Sequence, residues 1–406
     1  MSADELVKHY KVAKKINDTI DAAVSDLPPT LTQLITEIHA TPHLMTLDFA
    51  GAGAQSLAWL HSVGGSSRTV LEATDRYTPA SLIEAVGFTP KRFTSLRVAK
   101  ALADNAQRRA IELAPDERPV FGVGCSATIA TDRKKRGEHR VVVAVTDSLG
   151  TLSYELVLTK GERSRFEEER LVSIMIVSAV AEACGVFALP ELELLANERV
   201  NKIFEPVAEL SGLLAGDFDF LTVLPNGSLS RDELRDITLL SGSFNPLHEG
   251  HRKLAEVAQT TTQETVYFEL PLINADKDPI DLSEAHQRAV QFLGSAPLVL
   301  SRAPLFGHKA ALFPSATFVV GADTAARLVA LRFYDNDADK LAASLESVRT
   351  AGGRFLVAGR SSKGDFKTLE DIHISTPYRD LFTEIPEEAF NMDISSTQIR
   401  ERLGQD

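Results

Sequence analysis

The segment that decides how the second half of this chain folds is residues 241–251, SGSFNPLHEGH, which follow the apolar run ITLL at 237–240. This pattern predicts a strand, then a glycine-containing turn, then a helix that begins near His251 and continues through Leu254 and Val257. Backbone N–H groups at a helix start have no partners within the helix, so they attract anionic oxygens. The segment therefore predicts a binding site for a polyphosphate.

Two histidines three residues apart, His248 and His251, would add side-chain donors to the same site. Each can carry a positive charge if a bound phosphate raises its pKa. A single histidine near a helix start is usually a surface or capping residue, and that is the alternative for each histidine taken alone. Because the pair follows a strand and a tight turn, both histidines are candidates for binding the same polyphosphate.

The same segment resembles the signature of the HxGH nucleotidyltransferase superfamily, GxFxPxHxGH. The six matching positions are Gly242, Phe244, Pro246, His248, Gly250 and His251. The resemblance implies a Rossmann-like parallel sheet of the nucleotidyltransferase type. It also implies that His248 and His251 are catalytic residues that stabilise the α- and β-phosphates. Three residues of the turn would bind the nucleotide: Gly242, Ser243 and Phe244.

A second predicted phosphate-binding element is ISSTQIR at 394–400. Ser395 and Gln398 have capping-box spacing, which predicts a helix start with free N–H groups. The alternative is an ordinary capped terminal helix with a surface arginine. The superfamily carries ISSTxIR at this place, and the resemblance implies a catalytic Arg400 together with phosphate-binding hydroxyls. Three of these residues would hold the leaving pyrophosphate: Ser395, Ser396 and Arg400. Thr397 would also bind ATP.

Residues 237–404 look more narrowly like the nicotinamide-mononucleotide adenylyltransferases and their fungal and plant relatives. The supporting segments are FEL at 268–270, NADKDP at 274–279, FVVGAD at 318–323 and VAGR at 357–360. This resemblance implies that Gly321 and Asp323 contact the nucleoside of ATP. It further implies that Lys277 lies near the phosphates and that Arg360 contributes to nucleotide binding.

The resemblance implies transfer of AMP from ATP to the phosphate of nicotinamide mononucleotide, with release of pyrophosphate and with Mg²⁺ accompanying ATP. The only tryptophan, Trp59, lies outside this part of the chain. Phe306, Phe333 or Tyr334 would therefore stack on the pyridine ring, unless the acceptor differs; the alternative role of these aromatics is core packing. Two further functions stay open: a cytidylyltransferase or a transferase with another phosphorylated acceptor, and a non-catalytic nucleotide-binding regulatory protein.

The first half of the chain alternates strand-like and helix-like segments, which predicts a second α/β layered domain. Residues 41–186 resemble a CinA-type amidase domain at GGSS (64–67), YT (77–78) and FGV (121–123). The family's serine loop, however, falls on residues 49–53, which contain no hydroxyl. We therefore expect a catalytically silent domain with a structural or ligand-sensing role.

Residues 51–56, GAGAQS, also follow a predicted strand and begin a predicted helix, with Glu72 after the next strand. This arrangement resembles a dinucleotide-binding fingerprint, although Ser56 replaces the third glycine. Cys125 lacks a recognisable histidine or aspartate partner, so we expect a buried free thiol there.

At 406 residues the chain predicts more than one domain. We expect a helical extension (1–40), the CinA-like domain (41–186), a partly structured connector (187–233) and the nucleotidyltransferase domain (234–406). The net charge of −13 argues against a nucleic-acid partner. Without a long apolar run or a signal peptide, we expect no membrane partner and a cytoplasmic location, with the nucleus as an alternative. The expected partners are ATP and a phosphorylated small-molecule acceptor, and homo-oligomerisation is left open.

Overall fold

The structure is a computed structural model that describes residues 27–132, 137–273, 280–362 and 365–391. These residues form two α/β layered domains, each built around its own sheet, which confirms the predicted fold class. Of the predicted helical extension, the described part holds one helix, Pro29–Ala40 (α1), and residues 1–26 lie outside the described ranges. No helix in the described ranges is long and apolar enough to cross a membrane.

The first sheet has six strands in the order β2-β1-β3-β4-β5-β6, and β2, β1 and β3 run parallel while the others alternate in direction. The strands are Leu44–Ala50 (β1), Val70–Asp75 (β2), Val120–Thr128 (β3), His139–Thr146 (β4), Gly150–Leu158 (β5) and Asn201–Pro206 (β6). The helices that follow α1 are Ala54–Ser62 (α2), Pro79–Val86 (α3), Leu96–Leu113 (α4) and Arg165–Ala183 (α5).

Close packing of α4 on the first sheet depends on two glycines of β3. A Cβ atom on Gly122 would lie 2.0 Å from the backbone nitrogen of Gln107, and one on Gly124 would lie 2.2 Å from the carbonyl oxygen of Ala99. The helix presents small residues toward the strand at these points, so helix and sheet backbones nearly touch. Helices α1, α2 and α5 cover the opposite face with a larger apolar core.

The second sheet has eight strands in the order β16-β13-β12-β9-β10-β11-β7-β8. The strands are Phe220–Val223 (β7), Leu229–Ser230 (β8), Thr238–Ser241 (β9), Val266–Pro271 (β10), Leu298–Ser301 (β11), Thr317–Gly321 (β12), Arg354–Ala358 (β13) and Phe382–Ile385 (β16), and Arg360–Ser362 (β14) pairs with Asp365–Lys367 (β15) in a separate hairpin. The helices are Ala208–Ala215 (α6), Glu249–Thr262 (α7), Leu282–Ala289 (α8), Phe306–Leu312 (α9), Ala322–Leu328 (α10) and Ala338–Thr350 (α11).

Alternate residues of the central strands enter two different cores, as expected for a sheet with helices on both faces. Leu240 and Val319 pack into one core together with residues of α7 and α8. Leu239 and Phe318 pack into the other, with residues of α9, α10 and α11. Burial on both faces explains why these strands are continuous apolar runs in the sequence.

The connectivity of the second sheet creates a topological switch point between β9 and β12. From β9 the chain builds outward through β10 to β11, then crosses back to β12 and builds outward through β13 to β16. These six strands are parallel, so their carboxyl ends lie along one edge. In open α/β sheets, ligands bind in the crevice outside that edge, where the strand order reverses. Residues 242–248, which we call the β9–α7 loop, leave the sheet at this crevice.

The segment predicted as a connector, residues 187–233, contributes strands to both sheets. β6 pairs with β5 in the first sheet, and β7 pairs with β11 in the second. The sequence predicted a parallel second sheet, whereas β7 and β8 add two antiparallel strands at one edge. These strands form a hairpin, since the turn 225–228 that joins them is too short for the crossover that a parallel pair needs.

Candidate functional site

The β9–α7 loop is anchored by Phe244, whose side chain is fully buried. Its ring packs edge-to-face against Phe268 and Phe292, and its backbone has a positive φ of 47°. The Gly242 N–H donates a hydrogen bond to the carbonyl oxygen of Glu269 at 3.0 Å. A Cβ on Gly242 would lie 2.6 Å from the Phe244 ring. The Gly-x-Phe spacing therefore has a steric cause, because the ring occupies the space beside the glycine.

His248 and His251 come together at the start of α7. The helix begins at Glu249, two residues before His251, where the sequence predicted its approximate start. His248 is the N-cap residue, and its ring stacks on that of His251 with centroids 3.7 Å apart. The His248 backbone N–H donates to Nδ1 of His251 at 3.3 Å, which places the proton of a neutral His251 ring on Nε2. Both predicted histidines thus lie at the N-terminus of a helix in the switch-point crevice.

The His248 side chain occupies the capping-box position over the backbone of His251, the N3 residue of α7. Its Nδ1 atom is shielded from solvent. A ligand that enters the crevice would therefore meet other atoms of this ring.

Burial keeps both imidazoles neutral in the free protein. It lowers the pKa of His248, and it lowers the pKa of His251 to about 3, with further contributions from the neighbouring His248 and Arg252. Two neutral rings can stack closely, whereas two imidazolium ions would repel each other. Before a ligand binds, the pair therefore provides hydrogen-bond donors and not positive charges.

Two residues that the sequence analysis missed hold the β9–α7 loop in place. Gln291 donates from Nε2 to the Phe244 carbonyl oxygen at 3.1 Å and accepts from the Leu247 N–H at 2.8 Å. Arg288 donates from Nη1 to the Ser243 carbonyl oxygen at 3.0 Å. The only signal in the sequence was their spacing of three residues, which puts them on the same side of a helix.

A buried ion pair beneath the crevice was also missed. Nζ of Lys309 lies 2.6 Å from a carboxylate oxygen of Glu269 and 3.2 Å from Oγ of Ser241, the residue before Gly242. The Ser301 hydroxyl donates to the other Glu269 oxygen. The Lys309 and Glu269 side chains are 4% and 0% exposed. A lysine in the short segment FGHKAAL resembles a surface residue, so this pair could not be predicted from the local sequence.

Gly321 and Asp323, predicted to contact the nucleoside, lie across the switch point from the histidines. Val319 is in register with Leu240, so Gly321 at the end of β12 reaches the same edge as Gly242. Asp323 is exposed in the first turn of α10. Their contact with the nucleoside of ATP stays a prediction.

The aromatic residues considered for the pyridine ring occupy different environments. Phe306 packs edge-to-face against Phe318 and Phe355 in the core. Phe333 is 43% exposed, and the Tyr334 hydroxyl donates to a backbone carbonyl. Phe333 is the most exposed of the three, and the Arg332 guanidinium lies over its ring at 4.9 Å from the centroid.

Several predicted site residues lie outside the described side chains, and their roles stay predictions. Arg360 begins β14, directly after β13, and only its backbone is described. The remaining residues lie outside the described ranges: Lys277, Ser395, Ser396, Thr397 and Arg400.

The described side chains offer little to a divalent cation. Within the described ranges, no group of three or more histidine, cysteine, aspartate or glutamate residues could hold a metal ion. Mg²⁺ prefers oxygen ligands and commonly keeps several waters while it binds substrate phosphates. Mg²⁺ as the ion that accompanies ATP stays a prediction.

In the first domain, a protein carboxylate already fills the anion position at the start of α2. Oε1 of Glu169 accepts from the N–H groups of Gly53 at 2.9 Å and Gln55 at 3.2 Å. These are the N–H groups that a dinucleotide pyrophosphate would need. The glycine-rich turn is thus satisfied internally, and the fingerprint at 51–56 does not present a free phosphate site. Burial also raises the pKa of the Cys125 thiol, which disfavours a reactive thiolate.

The sequence matches no protein-family model and no curated protein. Solved structures of CinA-type proteins are similar to 38% of this chain. The competence/damage inducible protein CihA from Agrobacterium tumefaciens is 18% identical, with 96% of its own length covered and a TM-score of 0.33. A competence or damage-inducible protein from Enterobacter asburiae (12% identical, 98% covered, TM-score 0.31) and a CinA superfamily protein from Enterobacter cloacae (14%, 95%, 0.30) are also similar. At these values the similarity assigns no activity to this chain.

Proposed function

We propose that the second domain is a nucleotidyltransferase that moves AMP from ATP to the phosphate of a pyridine mononucleotide, with nicotinamide mononucleotide as the acceptor. One observation carries the proposal: the stacked His248 and His251 rings lie at a helix N-terminus in the switch-point crevice of a Rossmann-like sheet. There, the helix N–H groups and the two imidazole rings would donate hydrogen bonds to a bound polyphosphate.

In the proposed reaction, an oxygen of the acceptor phosphate attacks the α-phosphorus of ATP in line. A new P–O bond forms, the bond from the α-phosphorus to the bridging oxygen breaks, and its electron pair leaves with pyrophosphate. The acceptor oxygen is already anionic, so no general base is required. Catalysis then depends on positioning the phosphates and on stabilising the charge that builds on their oxygens.

His248 and His251 would donate hydrogen bonds to the α- and β-phosphates. The hydrogen bond from the His248 N–H to Nδ1 of His251 leaves the Nε2–H of His251 to face a phosphate oxygen. A bound polyanion would raise the pKa of each imidazole, and the resulting positive charge would strengthen both hydrogen bonds. Mg²⁺ would accompany ATP and neutralise part of the charge on its phosphates.

For the first domain, the proposal is a structural role without hydrolysis. The turn that corresponds to the serine loop of the CinA-type resemblance lacks a hydroxyl, and Glu169 occupies the N–H groups beside it. A hydrolase needs a positioned nucleophile or an activated water, and the buried, high-pKa Cys125 is poorly suited to provide either.

The test is pyrophosphate release by the full chain with ATP or CTP against a panel of phosphorylated acceptors. The panel contains nicotinamide mononucleotide, nicotinate mononucleotide, phosphopantetheine and ribose 5-phosphate. We expect ATP and a pyridine mononucleotide to give the fastest release. A preference for CTP or for a non-pyridine acceptor would reassign the substrate, and ATP binding without release for any pair would indicate a nucleotide-binding regulator.

A further inference from the structure

Helix α8 and the turn after it, residues 282–294, lie between the two domains. Nε2 of His286 lies 2.7 Å from a carboxylate oxygen of Asp147, which belongs to the β4–β5 turn of the first domain. Both side chains are buried, at 5% and 6% exposure. The His286 ring also packs on Phe204 of β6, with centroids 4.4 Å apart. A polar and an apolar contact therefore fix the same helix residue to the first domain.

Two further contacts with the first domain follow along the same segment. Gly185, just after α5, is so close to Gln291 that an added Cβ would lie 3.2 Å from the Gln291 Cα. Gly294 packs against Pro42, where an added Cβ would lie 2.0 Å from the proline ring. The first domain thus contacts residues 282–294 near the middle of the helix, just after it and in the turn beyond.

Two side chains of the same segment hold the β9–α7 loop. Arg288 is two residues after His286 and binds the Ser243 carbonyl group. Gln291, whose backbone meets Gly185, binds both Phe244 and Leu247. A shift of the helix away from the first domain would move both hydrogen-bonding side chains together. An error of about 1 Å in a substrate-positioning loop can cost about 100-fold in rate.

We infer that the first domain positions the nucleotide-binding loop of the second through residues 282–294, with Asp147 and His286 as the positioning pair. The inference deepens the proposed function and rests on it for the identity of the ligand. Asp147 suits this role because its other carboxylate oxygen accepts from the N–H groups of Leu149 at 2.8 Å and Gly150 at 3.1 Å. These bonds hold the carboxylate in the turn, so His286 meets a fixed acceptor.

The test uses the full chain and two His286 variants. His286→Phe keeps a ring against Phe204 but removes the hydrogen bond to Asp147. His286→Gln is the conservative rescue, because its amide nitrogen can reach the position of the imidazole Nε2. The matched control is His139→Phe, which breaks a buried histidine–carboxylate pair of similar geometry (His139 Nδ1 to Glu168, 2.9 Å) made entirely within the first domain.

The first readout is the affinity of each variant for Mg·ATP by calorimetry, with thermal unfolding measured in parallel. We expect His286→Phe to weaken binding by about 5- to 150-fold, the usual range of coupling between sites. His286→Gln should restore most of the affinity. His139→Phe should lower the unfolding temperature and leave the affinity unchanged. Equal affinities for His286→Phe and the wild type would overturn the inference, as would an equal loss in the control.

The second readout is amide hydrogen exchange of residues 242–251 in the free protein, which requires no ligand. We expect faster exchange there in His286→Phe and unchanged exchange in His139→Phe. If the wild type fails to bind ATP but this difference appears, the proposed function fails while the positioning role stands. If the wild type binds ATP and exchange is the same in all proteins, the positioning role fails and the proposed function stands.

Discussion

The imidazole rings of His248 and His251 stack with centroids 3.7 Å apart and planes inclined by 22°. His251 also meets the ring of Phe244 edge-to-face at 5.0 Å, so the pair rests on the residue that anchors the β9–α7 loop. In the proposed reaction, two neutral rings fixed in this way would donate to a phosphate without having to reorganise when it binds. Such pre-organisation is the property expected of a site that stabilises charge on phosphoryl oxygens.

Replacement of His251 should impair turnover far more than it impairs folding. In the proposed reaction, His251→Ala removes a donor to the phosphates, and we expect a loss of about 100-fold or more in kcat. The assay is pyrophosphate release at saturating ATP and acceptor, with circular dichroism as the check on folding. His61→Ala, a change at an exposed histidine of the first domain, is the control and should keep the wild-type rate. A wild-type rate in His251→Ala would remove the histidine from the mechanism.

Because the Phe244 ring occupies the space beside Gly242, even one added methyl group should destabilise the β9–α7 loop. Gly242→Ala would place Cβ 2.6 Å from the buried Phe244 ring, so the ring or the loop must move. We expect a loss of about 1–3 kcal/mol in the free energy of unfolding, as for other overpacked sites, together with weaker ATP binding. Urea unfolding and calorimetry measure the two effects. Gly64→Ala is the matched control, because an added Cβ there meets nothing within 4 Å. Similar losses of stability in both variants would show that the Phe244 ring does not exclude a side chain at position 242.

The buried Lys309–Glu269 pair should be sensitive to the loss of either partner. Lys309→Met leaves the Glu269 carboxylate buried without its counter-charge, which commonly costs about 3–5 kcal/mol in unfolding free energy. The double variant Lys309→Met with Glu269→Gln should recover part of this loss, since no charge then stays buried. Lys340→Met, which breaks an exposed pair with Asp335, should leave the free energy of unfolding nearly unchanged, because water screens that pair. Chemical denaturation of the four proteins tests the prediction, and equal losses for the two lysines would refute it.

The low pKa of His251 predicts destabilisation in acid. Its pKa is about 3 in the folded protein and near the ordinary 6.5 when unfolded, so the unfolded chain binds the proton more readily. The neutral ring therefore carries no penalty above pH 6.5, and stability falls as the pH drops from 6.5 toward 3. The limiting slope for one group is about 1.4 kcal/mol per pH unit.

The measurement is the unfolding free energy from pH 7.5 to 4.5 for the wild type and His251→Gln. The variant should show the shallower decline, because it lacks this titrating group. His43, whose burial lowers its pKa to about 4, contributes the same slope to both proteins and cancels in the comparison. Parallel pH profiles would show that His251 is not held neutral by the fold.

Much of the fold could be predicted because local patterns determine it. The apolar runs at β9, β12 and β13 predicted buried strands, and the turn before His248 predicted a helix start. The antiparallel edge could not be predicted in this way. β7 joins the sheet by pairing with β11, and the four-residue run Phe220–Val223 carries no sign of its partner or its direction.

The supporting residues of the site could not be predicted, because their partners are distant in sequence. Gln291 reaches Leu247 across 44 positions, and Lys309 reaches Glu269 across 40. Glu169 fills the N–H groups of Gly53 from 116 positions away, which no local reading of GAGAQS reveals. A motif identifies the groups that meet a ligand, whereas the groups that hold those residues in place are set by tertiary packing.

Transfer of the AMP part of ATP to a pyridine mononucleotide can be followed with isotopic label. The full chain is incubated with Mg²⁺, nicotinamide mononucleotide and ATP labelled either at the α- or at the γ-phosphorus. We expect α-label to enter a dinucleotide and γ-label to leave as pyrophosphate, with both products formed about 100-fold or more slowly by His251→Ala. Release of γ-label as inorganic phosphate, or a failure of α-label to enter any dinucleotide, would show that the proposed transfer does not occur.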